Sequence, residues 1–296
     1  MVISIDESSG FCWGVVRTID IVEETIASNQ NSNIYILGQV IHNPRETDRL
    51  EAKGLKTIQV EDLPDLAGTD SKVIIRAHGE PPSTYNIAKR FGIELIDATC
   101  PLVKTLQKRI RKSHSEGYQI VIFGKKEHSE VIGLRGCCND DCIVVRSVEE
   151  AVEKVESNRK TMLFSQTTMD KPTFYKIKEA LENKLKDNFV DNPHIPDFQA
   201  KDTICKYVYG REEKLIQFAK SNDVVLFVAG RNSSNGKSLY NVCLSANPKT
   251  YFIEDISELK FSWLENINNL GISGATSTPQ WYLEFVKNEI EKKLNN

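Results

Sequence analysis

The chain has 296 residues, of which 40% are hydrophobic and 27% are charged, and its net charge is -3. This length suffices for two or three domains, and the small negative charge excludes bulk attraction to nucleic acid or anionic lipid. Residues 1–9 carry no signal segment and the longest apolar runs are too short to cross a bilayer, so we expect a cytoplasmic protein without nucleic-acid or membrane partners. Seven scattered cysteines favour reduced thiols or metal ligands over disulfides.

Three of the cysteines stand where predicted helices begin. Cys12, Cys100 and Cys205 each precede apolar residues at helical spacing. For the second of these helices we predict Thr99 as the N-cap and Pro101 in the first turn. A helix start favours the thiolate, which is the form that binds metal. The three positions therefore need a common explanation.

The stretch after each of these cysteines follows one pattern. A helix leads to an apolar strand that ends in glycine, and a polar residue stands four positions after that glycine. The strands are predicted at 34–38, 120–124 and 224–230, and the polar residues are His42, His128 and Ser234, the last flanked by Ser233 and Asn235. A pattern that keeps its register three times indicates one structural unit used three times.

Each unit then continues through a helix and a short strand to a further strand that ends in a polar loop. The short strands are predicted at 57–60, 143–145 and 251–253, and the loops at 76–79, 165–168 and 273–277. A proline follows each loop and starts the next helix, as over 173–185; the prolines are Pro81, Pro172 and Pro279.

Apolar strands that alternate with helices predict parallel α/β sheets. We expect an α/β fold of three similar parallel-sheet domains, 1–98, 99–196 and 197–296, in a pseudo-threefold arrangement. Pro193 and Pro196 predict a linker within 187–202. Ligands bind beyond the carboxyl ends of such strands, so we expect the three cysteines to meet at one centre ringed by the polar loops.

Three converging thiolates suit either a zinc ion with one open position or an iron–sulfur cluster in which one iron lacks a protein ligand. The long spacings between the cysteines do not discriminate between these two centres. The alternative for each cysteine alone is a buried thiol that packs as a small hydrophobe. Recurrence at one position of a threefold repeat favours the shared centre. Cys137, Cys138 and Cys142 lie in a short polar loop. The alternatives for them are an accessory metal site and a structural role, and we favour the structural role because adjacent cysteines chelate one ion poorly.

The predicted polar loops are rich in imidazoles and uncharged hydrogen-bond donors. This composition suits an anion such as a phosphate; the residues are His42, His78, His128, Ser233, Ser234, Asn235 and Ser277. Glu130 follows His128 by two residues, and a carboxyl group there suits proton transfer. Its alternative role is that of a solvated glutamate favoured by the helix dipole. No Walker-type or G-x-G-x-x-G loop follows a strand.

Nine stretches, which run in order through nearly the whole chain, resemble the 4-hydroxy-3-methylbut-2-enyl diphosphate reductases of the methylerythritol phosphate route to isoprenoids. They are Gly10-Phe11-Cys12-x-Gly14-Val15, Val40-Ile41-His42-Asn43, Ala77-His78-Gly79, Asp97-Ala98-Thr99-Cys100-Pro101-Leu102-Val103, His128-x-Glu130-Val131-x-Gly133, Ser165-Gln166-Thr167-Thr168, Asp202-Thr203-Ile204-Cys205, Asn232-Ser233-Ser234-Asn235 and Gly274-Ala275-Thr276-Ser277-x-Pro279. The chain departs from that family at Ser9, at Trp13 and in the loop with Cys137, Cys138 and Cys142.

The resemblance implies a central [4Fe–4S] cluster with three cysteine ligands, Cys12, Cys100 and Cys205, and a fourth iron open to the substrate hydroxyl. It implies that the imidazoles, hydroxyls and amide named above hold the diphosphate, and that Glu130, helped by Thr167, supplies a proton. Two electrons come from an external donor such as ferredoxin or flavodoxin. The products are isopentenyl and dimethylallyl diphosphate, which makes this reductive dehydroxylation the last step of the route.

Three other functions compete with this one. A lyase would use an open cluster iron without net redox change, so it would turn over without a reductant. An iron–sulfur sensor or carrier would have no need of a polar anion-binding shell. A zinc hydrolase would contain zinc and no sulfide.

Overall fold

The structure is a computed structural model that describes residues 1–29, 31–187 and 198–295. Its strands are β1 (Val2–Ile5), β2 (Asn33–Leu37), β3 (Leu55–Ile58), β4 (Ser71–Ile75), β5 (Glu94–Asp97), β6 (Gln119–Phe123), β7 (Cys142–Val145), β8 (Thr161–Ser165), β9 (Phe198–Ala200), β10 (Val224–Val228), β11 (Thr250–Ile253) and β12 (Asn269–Gly274). Its helices are α1 (Trp13–Ser28), α2 (Pro44–Glu51), α3 (Pro82–Arg90), α4 (Pro101–Ser115), α5 (Ser129–Gly136), α6 (Val148–Lys154), α7 (Lys171–Asp187), α8 (Lys206–Tyr209), α9 (Glu212–Lys220), α10 (Ser234–Ala246) and α11 (Gln280–Asn295). Short 3-10 helices span Val60–Leu66, Ile256–Glu258 and Phe261–Leu264. Within the described ranges, no helix has the length and apolar character that crossing a membrane requires.

The strands form three four-stranded parallel sheets, which confirms the predicted α/β fold. Sheet 1 has the order β3-β2-β4-β5, sheet 2 has β7-β6-β8-β9, and sheet 3 has β11-β10-β12-β1. In each sheet, one edge strand is the strand that precedes a cysteine of the repeat: β5 before Cys100, β9 before Cys205 and β1 before Cys12. The three sheets therefore share one strand plan.

Two edge strands lie in a different predicted repeat from the rest of their sheet. Strand β1 belongs to sheet 3, although 1–98 contains it, and β9 belongs to sheet 2, although 197–296 contains it. A parallel edge strand reaches its partner through a long crossover connection, so its partner need not be the next strand in the sequence. The order of strands along the chain therefore does not reveal the sheet to which an edge strand belongs. The predicted linker within 187–202 lies mostly outside the described residues.

The described chain divides into two compact units. Unit A comprises Met1–Ser28, Gln39–Leu55 and Lys206–Asn296, and unit B comprises Asn29–Gly38 and Lys56–Cys205. Unit A holds sheet 3, and unit B holds sheet 2 and all of sheet 1 except Leu55, the first residue of β3.

The central strands are apolar throughout because helices cover both faces of their sheets. In β10, Leu226 and Val228 pack with side chains of α11, whereas Val225 and Phe227 pack with side chains of α9 and α10. In sheet 2, Ile120 packs in one cluster with residues of α4 and α5. These cores fix the strand ends from which the polar loops extend.

Two local predictions are wrong. Cys100, not Thr99, is the N-cap of α4, because the Thr99 amide donates to the Asp97 side chain at 2.9 Å and the helix begins at Pro101. The helix predicted after Cys205 is two helices, α8 and α9, separated at Gly210 and Arg211. Glycine is a poor helix former, and the Arg211 guanidinium donates to the Gly10 carbonyl at 2.7 Å.

Candidate functional site

The predicted site residues fall into two groups, one in each unit. Unit A holds Cys12, His42, Ser233, Ser234, Asn235 and Ser277, and unit B holds His78, Cys100, His128, Glu130, Thr167 and Cys205. Each of them lies just after a strand or at the start of a helix. The meeting of the three cysteines at one centre stays a prediction.

The same hydrogen bond holds the backbone of all three cysteines. The cysteine N–H donates to a carbonyl in the polar loop that follows the neighbouring strand of the same sheet. The bonds run from Cys12 to Thr276 at 3.2 Å, from Cys100 to Ala77 at 3.0 Å and from Cys205 to Thr167 at 2.9 Å. Each sulfur is half-buried and outside any disulfide. The repeat seen in the sequence is therefore a repeat of backbone geometry as well.

Aspartates shape the turn that precedes two of the cysteines. The Asp97 carboxylate accepts from the Thr99 amide at 2.9 Å, and the Asp202 carboxylate accepts from the Ile204 amide at 3.1 Å. Both are turns in which a side chain replaces a backbone acceptor. Both aspartates stand three residues before the cysteine, and this constant spacing was the signal available from the sequence.

Glu130 is the central residue of the group in unit B. Its side chain is buried in the first turn of α5, with 2% of the residue exposed. The Thr167 backbone N–H donates to Glu130 Oε1 at 2.7 Å, and the Thr167 hydroxyl donates to Oε2 at 2.6 Å. Because the Thr167 carbonyl accepts from the Cys205 amide, one residue connects the carboxyl group to the cysteine.

The burial of Glu130 changes its acidity. Removal from water raises the pKa of this carboxyl to about 7, although both bonds from Thr167 act in the opposite direction. A carboxyl group with a pKa near neutrality holds and releases a proton under physiological conditions, as a general acid requires. The alternative role for Glu130, that of a solvated glutamate at a helix start, is therefore wrong.

Two imidazoles lie beside each other in unit B. His128 is the N-cap of α5, and its Nδ1 accepts from the Glu130 amide at 3.2 Å. This bond assigns the proton of the neutral ring to Nε2. The His78 ring meets the His128 ring edge-on, with centroids 5.4 Å apart. Two imidazoles at this distance suit an anionic group that each can approach with an N–H.

Asn235 occupies the corresponding place in unit A. Its Oδ1 accepts from the Thr276 amide at 2.9 Å and from the Thr276 hydroxyl at 2.7 Å. These bonds identify the other side-chain atom as the amide nitrogen, and Nδ2 is buried without a hydrogen-bond partner among the described residues. A buried donor without an acceptor is costly, so the Nδ2 group points to a ligand that accepts a hydrogen bond from it.

Two serine hydroxyls belong to the same loops as Asn235 and Thr276. Ser233 Oγ and Ser277 Oγ lie 3.2 Å apart, and Ser233 caps α10 by accepting from the Gly236 amide at 3.0 Å. His42 is held near this loop by a close backbone approach. A Cβ at Gly230 would lie 2.1 Å from the His42 carbonyl oxygen, so only glycine fits there.

Two polar residues of unit B, the buried Gln166 and the partly buried Arg76, were missed as contributors to the loops. Gln166 joins two loops, because its Oε1 accepts from the Lys125 amide at 3.0 Å and its Nε2 donates to the Thr168 hydroxyl at 2.7 Å. Arg76 lies 3.8 Å from Glu80, and burial lowers the pKa of its guanidinium. Both stand inside the predicted polar loops, which was the signal available from the sequence.

Comparisons with known proteins place the chain in one family. The chain matches the family described as LytB protein over residues 3–291. It is similar to the 4-hydroxy-3-methylbut-2-enyl diphosphate reductase of Chloroherpeton thalassium, with 46% identity over 98% of this chain and 96% of that protein. It is 44% identical to the protein of the same name from Chlorobaculum parvum, over 100% of this chain and 98% of that protein.

Solved structures give the same result. One, described as (E)-4-hydroxy-3-methyl-but-2-enyl diphosphate reductase, the terminal enzyme of the non-mevalonate pathway, aligns with a TM-score of 0.71 and 34% identity over 99% of this chain and 100% of that one. Another, the E-1-hydroxy-2-methyl-but-2-enyl-4-diphosphate reductase from Plasmodium falciparum, aligns with a TM-score of 0.83 and 29% identity over 97% of this chain and 87% of that one. These relatives are named as reductases, which are oxidoreductase enzymes.

Proposed function

Because the chain belongs to the LytB protein family, we propose that it catalyses the reductive dehydroxylation of 4-hydroxy-3-methylbut-2-enyl diphosphate. The products are isopentenyl and dimethylallyl diphosphate, and the reaction is the last step of the methylerythritol phosphate pathway in the cytoplasm. The connection from Glu130 through Thr167 to Cys205 carries the proposal, because it ties a buried proton donor to a candidate metal ligand.

The proposed cofactor is one [4Fe–4S] cluster with three cysteine ligands, Cys12, Cys100 and Cys205. The donor set fits, since these three thiols are half-buried, outside any disulfide and held at equivalent positions by equivalent backbone bonds. When bound, such a cluster supplies the substrate with two electrons from an external donor such as ferredoxin or flavodoxin and with an iron that polarises the carbon–oxygen bond. The three repeat domains, 1–98, 99–196 and 197–296, would each contribute one ligand or its supporting loop.

Glu130 is the proposed acid. Near neutral pH its carboxyl holds a proton because it is buried, and Thr167 fixes the orientation of both oxygens. The Glu130 carboxyl gives this proton to the substrate hydroxyl, which then leaves as water. In this proposal one hydroxyl group of Thr167 has two roles: it binds the substrate, and it donates a hydrogen bond to Glu130.

The diphosphate is the proposed anchor for the substrate. Its oxygens take hydrogen bonds from imidazoles, hydroxyls and one amide; the residues are His42, His78, His128, Ser233, Ser234, Asn235 and Ser277. The buried Nδ2 of Asn235, which has no acceptor among the described residues, supports this assignment most directly. Binding the substrate far from the reacting carbon orients that carbon for the chemical step.

Metal and sulfide analysis of anaerobically purified protein, together with its visible spectrum, tests this function. We expect about four iron and about four sulfide per chain, and turnover that depends on a reductant. Cys12→Ser should lose iron, whereas Cys243→Ser, which changes a fully buried core cysteine, should retain it. Zinc without sulfide would establish the hydrolase alternative, and turnover without a reductant would establish the lyase.

A further inference from the structure

The tight loop after α5, together with the first residue of β7, carries three cysteines that the proposed function does not use: Cys137, Cys138 and Cys142. Asn139 and Asp140 adopt the left-handed conformation, with φ angles of 54° and 61°. The Asp141 amide donates to the Cys138 carbonyl at 2.9 Å and closes the turn. The chain therefore reverses direction between Cys138 and Cys142, and both side chains pack in the apolar cluster between α4, α5 and sheet 2.

Two of these thiols interact with each other. The Cys138 thiol is fully buried and donates to the Arg135 carbonyl oxygen at 3.2 Å, and the Cys142 thiol on the other side of the turn is half-buried. Interaction between the two thiols raises the pKa of Cys138 and lowers the pKa of Cys142, and the Arg135 guanidinium lowers the latter further. The more accessible thiol of the pair is thus also the better nucleophile.

The third thiol faces elsewhere. Arg111 Nη2 lies 3.8 Å from Cys137 Sγ, and this arginine belongs to α4. Among the described residues, the three thiols of the loop do not form a group close enough to share one metal ion. The arrangement is therefore that of a dithiol pair with one neighbouring cysteine, and not that of a metal site.

We propose that Cys138 and Cys142 form a reversible disulfide by exchange with a low-molecular-weight disulfide such as glutathione disulfide. The Cys142 thiolate attacks the external disulfide, which breaks the external sulfur–sulfur bond, forms a mixed disulfide and releases one thiolate. The Cys138 thiol, as its thiolate, then attacks the Cys142 sulfur and releases the second thiol. The protein loses two electrons and two protons, and the external disulfide gains them.

This site is independent of the proposed iron–sulfur chemistry, since neither thiol belongs to the proposed ligand set. It lies at the opposite end of α5 from Glu130, which stands in the first turn of that helix. Oxidation would covalently join Cys138, the second residue after the end of α5, to Cys142, the first residue of β7. The oxidation state of the pair would thus follow the thiol–disulfide balance of its surroundings. The pair lies next to the C-terminal end of the helix that carries the proposed acid.

Peptide mapping of the anaerobically purified holoenzyme tests the proposal. Glutathione disulfide is added, free thiols are alkylated in acid-quenched protein, and trypsin releases 136–146, which contains the three cysteines of the loop and none of the proposed ligands. We expect one alkylated cysteine in this peptide. Cleavage before Asp140 and Asp141 should leave the two cysteine-containing parts, 136–139 and 141–146, joined until a reductant is added. Three alkylated cysteines would overturn the proposal.

Single substitutions identify the partners. Cys138→Ser should stop the reaction at a stable glutathione adduct on Cys142, and Cys142→Ser should give neither adduct nor disulfide in this loop. Cys137→Ser is the matched control from the same loop and should form the disulfide as the unsubstituted chain does. An adduct that persists in Cys137→Ser, or a disulfide that still forms in Cys138→Ser, would refute the assigned pair. The mapping of the unsubstituted chain decides the question even if a variant fails to fold.

Discussion

Glu130 in unit B and Asn235 in unit A occupy equivalent places on equivalent supports. Each stands two residues after a helix N-cap, His128 for α5 and Ser233 for α10. Each accepts hydrogen bonds from both the amide and the hydroxyl of a threonine in the next polar loop, Thr167 for Glu130 and Thr276 for Asn235. The carbonyl of that threonine accepts from a cysteine amide in both cases.

The difference between the two lies in the side chain alone. A carboxyl group in this setting has its pKa raised to about 7 and can donate a proton. A carboxamide in the same setting does not titrate and keeps a buried N–H donor directed away from its threonine. One scaffold, used twice, thus presents a proton donor in unit B and a fixed hydrogen-bond donor in unit A. Substitutions at these two positions and at their threonines test this difference.

The largest effect should come from Glu130→Gln. Glutamine keeps the shape of the side chain and an acceptor for Thr167, but it has no proton to give, so turnover should fall by roughly 10²- to 10⁴-fold, the usual contribution of a general acid. Iron content and substrate affinity should stay close to those of the unsubstituted chain. Steady-state turnover with a chemical reductant measures this. Glu127→Gln, which changes an exposed carboxylate just before α5, is the control, and near-normal turnover of Glu130→Gln would disprove the acid role.

The second effect concerns stability against pH. The pKa of Glu130 in the folded chain, about 7, lies above its ordinary value of 4.5. The stabilisation is therefore fully present below pH 4.5 and is lost as the pH rises through 7, which amounts to about 3 kcal/mol. Unfolding measured across this range should show the decline in the unsubstituted chain and a shallower one in Glu130→Gln. Parallel profiles would mean that the pKa of Glu130 is the same in the folded and unfolded chains.

The third effect comes from Asn235→Asp, which makes the unit A position chemically resemble that of unit B. The buried donor becomes a carboxylate oxygen that repels an anion, so KM should rise roughly 10- to 100-fold, as expected for losing about 1.5–3 kcal/mol of bonding to a charged group. Substrate-dependent kinetics measure this change. Asn241→Asp, at an exposed position of the same helix, should leave KM unchanged. An unchanged KM in Asn235→Asp would remove Asn235 from the anion site.

The smallest effects should come from the two threonines. Thr167→Val and Thr276→Val each remove one buried hydroxyl, and each should lower the free energy of unfolding by about 1–2 kcal/mol. Only Thr167→Val should also move the alkaline limb of the pH–rate profile to higher pH, because the lost hydrogen bond had lowered the pKa of Glu130. A matching shift in Thr276→Val would show that the profile reports another group.

Much of the fold was predictable from the sequence because it depends on local patterns. The apolar run at 224–230 and its two counterparts are buried strands, and the prolines at 101 and 172 lie in the first turns of helices, as expected from their fixed φ angle. The sheet of β1 was not predictable. A four-residue strand that pairs with β12, more than 260 residues away, has no partner that sequence proximity could indicate.

The candidate site divides in the same way. The residue types at the cysteines, histidines and polar loops, and their threefold spacing, are properties of the sequence. The sequence left Glu130 open between a solvated helix-start glutamate and a proton carrier, because nothing local indicates whether water reaches its carboxyl group. Only tertiary packing decided this, by burying the carboxyl against Thr167, a residue 37 positions away. Acidity depends on the removal of water from a charge, and that removal is a property of the folded chain.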